Sequence, residues 1–346
     1  MMKTDRRHAL ACMLSGLAGL SSASFSPGAR AQDSPDWKTV IEAAKKEGKL
    51  VVYTAAVGQP SHVLVAKAFE KKYGIPVTYL EARASEIRER VRTEQTAGRF
   101  IGDLSHNGST TSTLQAQDGA FQPHGPLPNL SHLRAPFKAD ELRVPVFASA
   151  YSILVNTNLV KPADEPKSWV DLTDPKWKGK ILSDDMRALG GGQVAFFVLY
   201  DKLGKGFHEK LAANQPVFSR DLRASERRVA RGDYAIWIPM TTNSYADLKG
   251  LPVKLLQPQE GFPYITYEVA LLKNAPRPNA ARLFMDFFLS DEAQLIQDKQ
   301  GLTMVTSTAA PADTEEANAR RNGKLLGTTD ASRQDELLQI AKDIYK

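Results

Sequence analysis

The sequence predicts an α/β protein: mainly parallel sheets flanked by helices, divided between two domains. Three observations predict it. Strand and helix signals alternate from Leu50 to Thr111. The chain has 346 residues, 42% of them hydrophobic, enough for a large core and more than one domain. The alternation breaks near Val144, where a long apolar run begins that can pass from one domain into the next.

The elements follow in order. Pro35 suits a first helical position, with Asp33 or Ser34 as cap. Trp37, Val40, Ile41 and Ala44 then recur at helical spacing until Gly48 stops the helix. Leu50 to Thr54 reads as a buried strand, Pro60 to Tyr73 as a helix ended by Gly74, and Val77 to Leu80 as a second strand. Ile87 and Val91 mark a third helix closing near Gly98. Phe100 to Leu104 reads as a third strand, followed by the Gly108-Ser109-Thr110-Thr111 loop and another helix. In such a sheet ligands sit beyond the carboxyl ends of the strands. Those ends are the Thr54–Ser61, Glu81–Ser85 and Ser105–Thr111 loops. Further on, Val144 to Val155 reads as a long strand and Lys180 to Ser183 as a short one. A glycine cluster at Gly190–Gly192 precedes the apolar helix Val194–Tyr200. Strands are predicted over Asp233–Ile238 and Thr266–Leu272, and an amphipathic helix over Asn279–Phe288.

The first 31 residues read as a secretory leader. Lys3, Arg6 and Arg7 form a positive start, Ala9 to Leu20 is an apolar run too short to span a bilayer, and Ala29-Arg30-Ala31 fits a cleavage site before Gln32. Arg6-Arg7-His8-Ala9-Leu10 also fits a loose twin-arginine pattern, so both the general secretory and the twin-arginine routes stay open. The expected location is the periplasm. The single cysteine, Cys12, lies in the leader, which excludes disulfides and cysteine metal sites from the mature chain.

The net charge is +6. The leader carries four basic residues against Asp5 alone, which leaves +3 on the rest of the chain. No basic block is interleaved with aromatics, so nucleic acid is not an expected partner. The densest basic stretch, Arg220 to Arg231, reads as a solvated helix face. His62, His106, His124, His132 and His208 show no metal-binding spacing and read as surface or loop residues. Gly190-Gly191-Gly192-Gln193-Val194-Ala195 formally fits a dinucleotide fingerprint. Asp184 to Leu189 separate it from the preceding strand, which argues against a dehydrogenase. No G-x-S-x-G hydrolase motif is present, and no carboxylate pair stands out as an acid/base couple.

Several segments together resemble one known family. They are Lys46-Glu47-Gly48-Lys49-Leu50-Val51-Val52-Tyr53, Ala68-Phe69-Glu70-Lys71-Lys72-Tyr73-Gly74-Ile75, and Tyr151-Ser152-Ile153-Leu154-Val155-Asn156-Thr157. Trp169 with Asp171-Leu172 and Lys176-Trp177-Lys178-Gly179-Lys180, and Pro278-Asn279-Ala280-Ala281 with Phe284, Phe287 and Phe288, complete the set. In this order, across nearly the whole mature chain, they resemble type 2 periplasmic solute-binding proteins of ABC importers, in the iron(III) or family 1 branch. The resemblance implies a two-lobed fold, each lobe a mainly parallel sheet flanked by helices, with a ligand cleft between. It places residues 32–147 and 271–306 in lobe 1, and residues 148–270 and 307–346 in lobe 2. It implies closure on a small-molecule ligand and docking on an inner-membrane ABC permease. The expected protein is a monomer with no catalytic residue, metal or cofactor. An exported enzyme on the same scaffold, and a sensory receptor that presents its ligand to a membrane partner, are the rival classes.

In that fold, helix N-termini from both lobes converge on the ligand and suit anions. Lobe 1 then offers Thr54 and Ala55 at the end of its first strand, and Gly108, Ser109 and Thr110 at a helix start. Lobe 2 offers Arg187 for a bidentate anion contact and Gly191 and Gly192 for close backbone approach. Tyr151 flanks the expected cleft. Tyr245 lies where ferric-binding relatives carry adjacent metal-binding tyrosines. Only one tyrosine stands here, and the stretches matching those relatives' histidine and glutamate, Ala55 to Gly58 and Asn107 to Ser109, offer neither. One phenolate is a poor ferric site, so the expected solute is a small organic anion: a phosphonate, phosphate ester or carboxylate. Ferric iron or a ferric chelate is the alternative.

Overall fold

A computed structural model describes residues 35–310 and 323–346. The leader reading of residues 1–31 lies outside the described residues. Residues 50–108 form the expected alternation: β1 (Leu50–Thr54), α2 (Pro60–Tyr73), β2 (Val77–Glu81), α3 (Ala84–Thr96) and β3 (Leu104–Gly108), preceded by α1 (Pro35–Glu47). Local chemistry sets the ends. Pro60 opens α2, and Gly74, at φ 72°, closes it by donating its N–H to the Glu70 carbonyl.

The third strand begins later than its apolar signal. Phe100 and Ile101 do not pair. Gly102 packs its Cα against the Tyr53 ring, and Asp103 is committed to Val51 and Arg277, so pairing with β1 starts only at Leu104.

After β3 come α4 (Ser109–Gln117) and β4 (Arg143–Asn156), then β5 (Ile181–Asp184), α5 (Gly191–Leu203), α6 (Lys205–Ala213), β6 (Val217–Ser219) and α7 (Leu222–Arg231). The chain continues through β7 (Ile236–Thr241), β8 (Val253–Leu255), β9 (Phe262–Leu271), α8 (Pro278–Phe288), α9 (Asp291–Lys299), β10 (Leu325–Gly327) and α10 (Gln334–Ile344).

The strand order is β2-β1-β3-β9-β4-β7-β5-β6. β2, β1 and β3 are mutually parallel, as are β7, β5 and β6. The two crossing strands make the sheet mixed, because β9 runs antiparallel to both β3 and β4. β4 is the pivot. Its first half, Arg143 to Ala150, pairs with β9, and its second half, from Tyr151, pairs with β7 and β8.

The cores divide at the same place. Phe69, Phe147, Ala150, Phe284, Phe287 and Val305 belong to one buried cluster; Ile153, Trp169, Phe196, Ile236, Leu337 and Tyr345 belong to another. Smaller clusters around Tyr53 and Trp237 cover the opposite faces of the sheet. Every residue of β4 after Arg143 is buried, which explains why it reads as unbroken apolar sequence and not as alternation.

Candidate functional site

The parallel strands of both lobes present their carboxyl ends towards the crossing point of β4. In lobe 1 the chain passes from β3 directly into α4. Gly108 packs closely there: a Cβ would lie 2.8 Å from Ile265 Cδ1, so that side chain would have to move. No side chain caps α4, so the N–H groups of its first turn are open. The Ser109 hydroxyl is buried without a partner. The Thr110 hydroxyl meets that of Thr329 at 2.9 Å. Beneath the turn, Asn107 Nδ2 donates to Ser105 Oγ at 2.6 Å, and Ser105 donates to Gln115 Oε1 at 2.8 Å, which ties β3 to α4.

The matching helix start in lobe 2 differs. α5 begins at Gly191, and Asp184, the last residue of β5, reaches its first turn. Asp184 Oδ2 accepts from Gly192 N at 2.6 Å and Oδ1 from Asp185 N at 2.9 Å. The carboxyl is buried. Burial pushes its pKa above the usual range, while the two backbone donors and the field of Arg220 pull the other way. The Tyr151 ring packs on Gly191: a Cβ there would sit 2.9 Å from Tyr151 Cε1, 3.4 Å from its Cζ and 3.3 Å from Asp184 Oδ2. Tyr267 on β9, opposite Gly108, stacks on Phe147 with ring centroids 4.7 Å apart. Burial raises the Tyr151 phenol, and Tyr267 and Asp184 add to the effect, so Tyr151 lies within electrostatic range of each.

The anticipated residues therefore separate. Gly108, Ser109 and Thr110 meet at the start of α4, and Tyr151, Gly191 and Gly192 meet around Asp184. Thr54 is fully buried and its hydroxyl is used internally: it accepts from Ala56 N at 3.0 Å and pairs with His106 Nδ1 at 3.0 Å. Ala55 is half-buried and donates its N–H to the His106 carbonyl. Arg187 turns away from the expected anion site. Its guanidinium donates to Asp185 Oδ1 at 2.8 Å and to the Tyr345 carbonyl at 3.2 Å, and packs 4.5 Å from the Phe218 ring centre. Tyr245 packs against the Trp237 cluster and donates to the Val253 carbonyl at 3.4 Å, pointing into lobe 2.

Four residues were missed. Asp184 and Tyr267 have no motif around them. Asn243 joins the lobes by accepting from Ser149 Oγ at 2.9 Å, since Ser149 lies between Ala148 and Ala150 of the first core. Arg220 precedes α7 instead of lying on its solvated face. It is exposed, and its charge acts on both Asp184 and Asp185.

The histidine expectation is corrected at three positions: His62, His106 and His208 are buried within helices or a strand, while His124 is in a loop, though buried. His62 Nε2 meets Glu81 Oε1 at 3.0 Å, and the Gly58 N–H donates to Glu81 Oε2 at 2.9 Å, which fixes the loop after β1. The Gly58 hydrogen bond, with His62, holds Glu81 below the usual range against its desolvation. His106 lies among Phe147, Tyr267 and Phe288, and burial lowers it to about 3. Each is buried because its ring packs with aromatics or bonds to the fold.

Among the described residues, no group of three or more His, Cys, Asp or Glu could hold a metal ion, and no helix is long and apolar enough to cross a membrane. Surface hollows such as the one lined by Arg88, Gln95 and Asn274 share no residue with the two helix starts.

Residues 50–303 match the family model described as bacterial extracellular solute-binding protein. An uncharacterised Haemophilus influenzae protein is 28% identical over 78% of this chain and 82% of its own length. A Salmonella typhimurium protein, provisionally named as a 2-aminoethylphosphonate-binding periplasmic protein, is 25% identical over 71% of this chain and 74% of its own. The crystal structure of iron-bound HitA from Pseudomonas aeruginosa superposes with a TM-score of 0.69 at 19% identity, covering 86% of this chain and 99% of that one.

Proposed function

The chain belongs to the bacterial extracellular solute-binding proteins, receptors of ABC importers, and from that premise we propose that its solute is a small organic anion held between the lobes. A phosphonate, a phosphate ester or a carboxylate fits this description. The observation that carries the reading is the uncapped start of α4, where open N–H groups follow Gly108 beside the buried, unpartnered Ser109 hydroxyl. Such a turn combines hydrogen-bond donors with the positive end of the helix dipole. The name given to the Salmonella relative supports a phosphonate.

In this reading the protein captures its solute in the periplasm, after removal of a leader ending at Ala31, and passes it to a permease. It works as a monomer, without cofactor, nucleic acid or catalysis. Capture shifts the lobes towards closure by the solute's extra affinity for the closed form.

The test is a thermal-shift screen of the mature chain, stripped of carried-over solute by unfolding and refolding. A ligand at 100 times its Kd adds about 2.7 kcal/mol of stability, enough to raise the midpoint by several degrees. The expected result is a rise with one or more of the phosphonates, phosphate esters and carboxylates. A rise with ferric iron or ferric citrate alone would overturn the proposal.

A further inference from the structure

We propose that the solute is a zwitterion: Asp184, flanked by the Tyr151 and Tyr267 hydroxyls, takes an ammonium group while the open start of α4 takes the anion. This rests on the reading of the interlobe space as the solute site and adds a second charge to its occupant.

The two helix starts differ in what already occupies them. Both follow a glycine at the carboxyl end of a sheet, and both favour negative charge. At α4 no side chain caps the first turn. At α5 that preference is already met by the protein's own carboxylate, bonded to Gly192 N. An anion brought to α5 would face Asp184 in a water-poor setting, where repulsion between like charges is strong. The second lobe is therefore closed to the anion and open to a cation.

The acceptor count fits an ammonium. A carboxylate offers about four lone-pair sites, and Asp184 uses two of them for Gly192 N and Asp185 N. Among the described residues Asp184 forms no ion pair within 4.0 Å, and neither the Tyr151 nor the Tyr267 hydroxyl forms a hydrogen bond, although Tyr151 is only 6% exposed. An ammonium has three donors and no acceptor, so the remaining carboxylate sites and the two phenol oxygens can receive it.

One carboxylate also matches one positive charge. Ferric iron would need several anionic oxygens. Burial instead raises both phenols, which keeps them protonated. Glycine at residue 191 lets the Tyr151 ring pack close beside Asp184: a Cβ there would meet the ring at 2.9 Å and Asp184 Oδ2 at 3.3 Å, pushing the phenol away from the carboxyl.

The test is calorimetric titration of the stripped mature chain with matched pairs: 2-aminoethylphosphonate against ethylphosphonate, and 4-aminobutyrate against butyrate. The wild type is expected to favour the amine-bearing member of at least one pair by about tenfold or more, as a charge-assisted contact implies. Asp184→Asn, which keeps an oxygen for the Gly192 N–H, is expected to bring that ratio within about threefold, with the amine-free anion bound no worse. Tyr267→Phe leaves the Asp184 bonds in place and is expected to weaken only the amine. The wild-type ratio needs no variant to fold. Anion binding without amine preference would overturn this inference and leave the anion reading standing. A preference that survives in Asp184→Asn would remove Asp184 from the role. No binding by any of the four probes would overturn this inference, while the anion reading falls only if the wider screen of phosphonates, phosphate esters and carboxylates responds to ferric iron or ferric citrate alone.

Discussion

Replacing Gly192 with alanine tests whether the tie between β5 and α5 is built as described. The added Cβ would lie 2.7 Å from the Asp184 carbonyl oxygen and 2.8 Å from the carbonyl carbons of Asp184 and Asp185. These are backbone atoms at a strand end, so no side chain can rotate aside. Overpacking of this kind costs about 1–3 kcal/mol. Alanine returns less than about 1 kcal/mol in helix propensity. If the turn shifts to relieve the clash, the 2.6 Å bond from Gly192 N to Asp184 Oδ2 is strained as well, a loss of about 1 kcal/mol or more. The net expectation is a loss of about 1–3 kcal/mol, or a midpoint lowered by roughly 2–8 °C. Gly206→Ala is the control, because a Cβ there meets nothing within 4 Å. Thermal unfolding of the mature wild type and both variants is the assay. A Gly192→Ala midpoint equal to that of Gly206→Ala would mean that the turn between β5 and α5 accepts a side chain at residue 192 without cost.

Two further outcomes follow from the placed side chains. Arg187→Ala is expected to lower stability by about 1–2 kcal/mol, through loss of the Asp185 pair and the Phe218 contact, while solute affinity changes less than about twofold. A tenfold loss of affinity in titration would return Arg187 to the solute site. His208, buried against Phe196 and bonded to the Tyr345 hydroxyl, is lowered from 6.5 to about 3 by desolvation. The folded state keeps it neutral while the unfolded state takes up a proton, so its contribution is complete above pH 6.5 and is lost as pH falls towards 3. His208→Gln is therefore expected to flatten the fall in stability between pH 6 and 4 by about 1.4 kcal/mol per pH unit. Denaturant titrations across that range with equal slopes for variant and wild type would contradict the assignment.

The sequence made the scaffold legible where one physical signal dominated. β1 and β4 are runs of apolar residues that a covered sheet holds, and Pro60, Gly48 and Gly74 mark helix ends by their backbone chemistry. The short parallel strand β6 and the short helix α6 give no equally clear signal and depend on the tertiary packing of residues such as Leu211. The site was harder to read for a different reason. Its chemistry depends on residues that approach through space. Arg187 stands beside the glycine cluster in sequence, yet Asp185 and the Tyr345 carbonyl, 158 residues away, draw its guanidinium aside. Tyr245 follows a strand end as an exposed ligand would, but the Trp237 cluster takes its ring. Buried histidines look polar in any composition count. His106 is accommodated only because Thr54 bonds one nitrogen and three aromatic rings surround it.

The division of charge between the lobes bears on how capture is coupled to closure. A solute drives closure only by interacting more strongly with the closed form than with the open one. A ligand with a single anionic group could satisfy α4 from lobe 1 alone and gain little when lobe 2 arrives, since Asp184 already occupies the start of α5. A ligand carrying an ammonium gains its second contact only when Asp184 and Tyr151 approach, so its differential affinity lies in the closing step itself. The contacts already made between the lobes, Ser149 to Asn243 at 2.9 Å and Thr110 to Thr329 at 2.9 Å, join neutral groups. Neutral hydrogen bonds contribute only about 0.5–1.5 kcal/mol each in net free energy, because water replaces them when they open. They can fix the register of the lobes without holding them shut, which leaves the larger charged contacts to decide when the receptor is loaded.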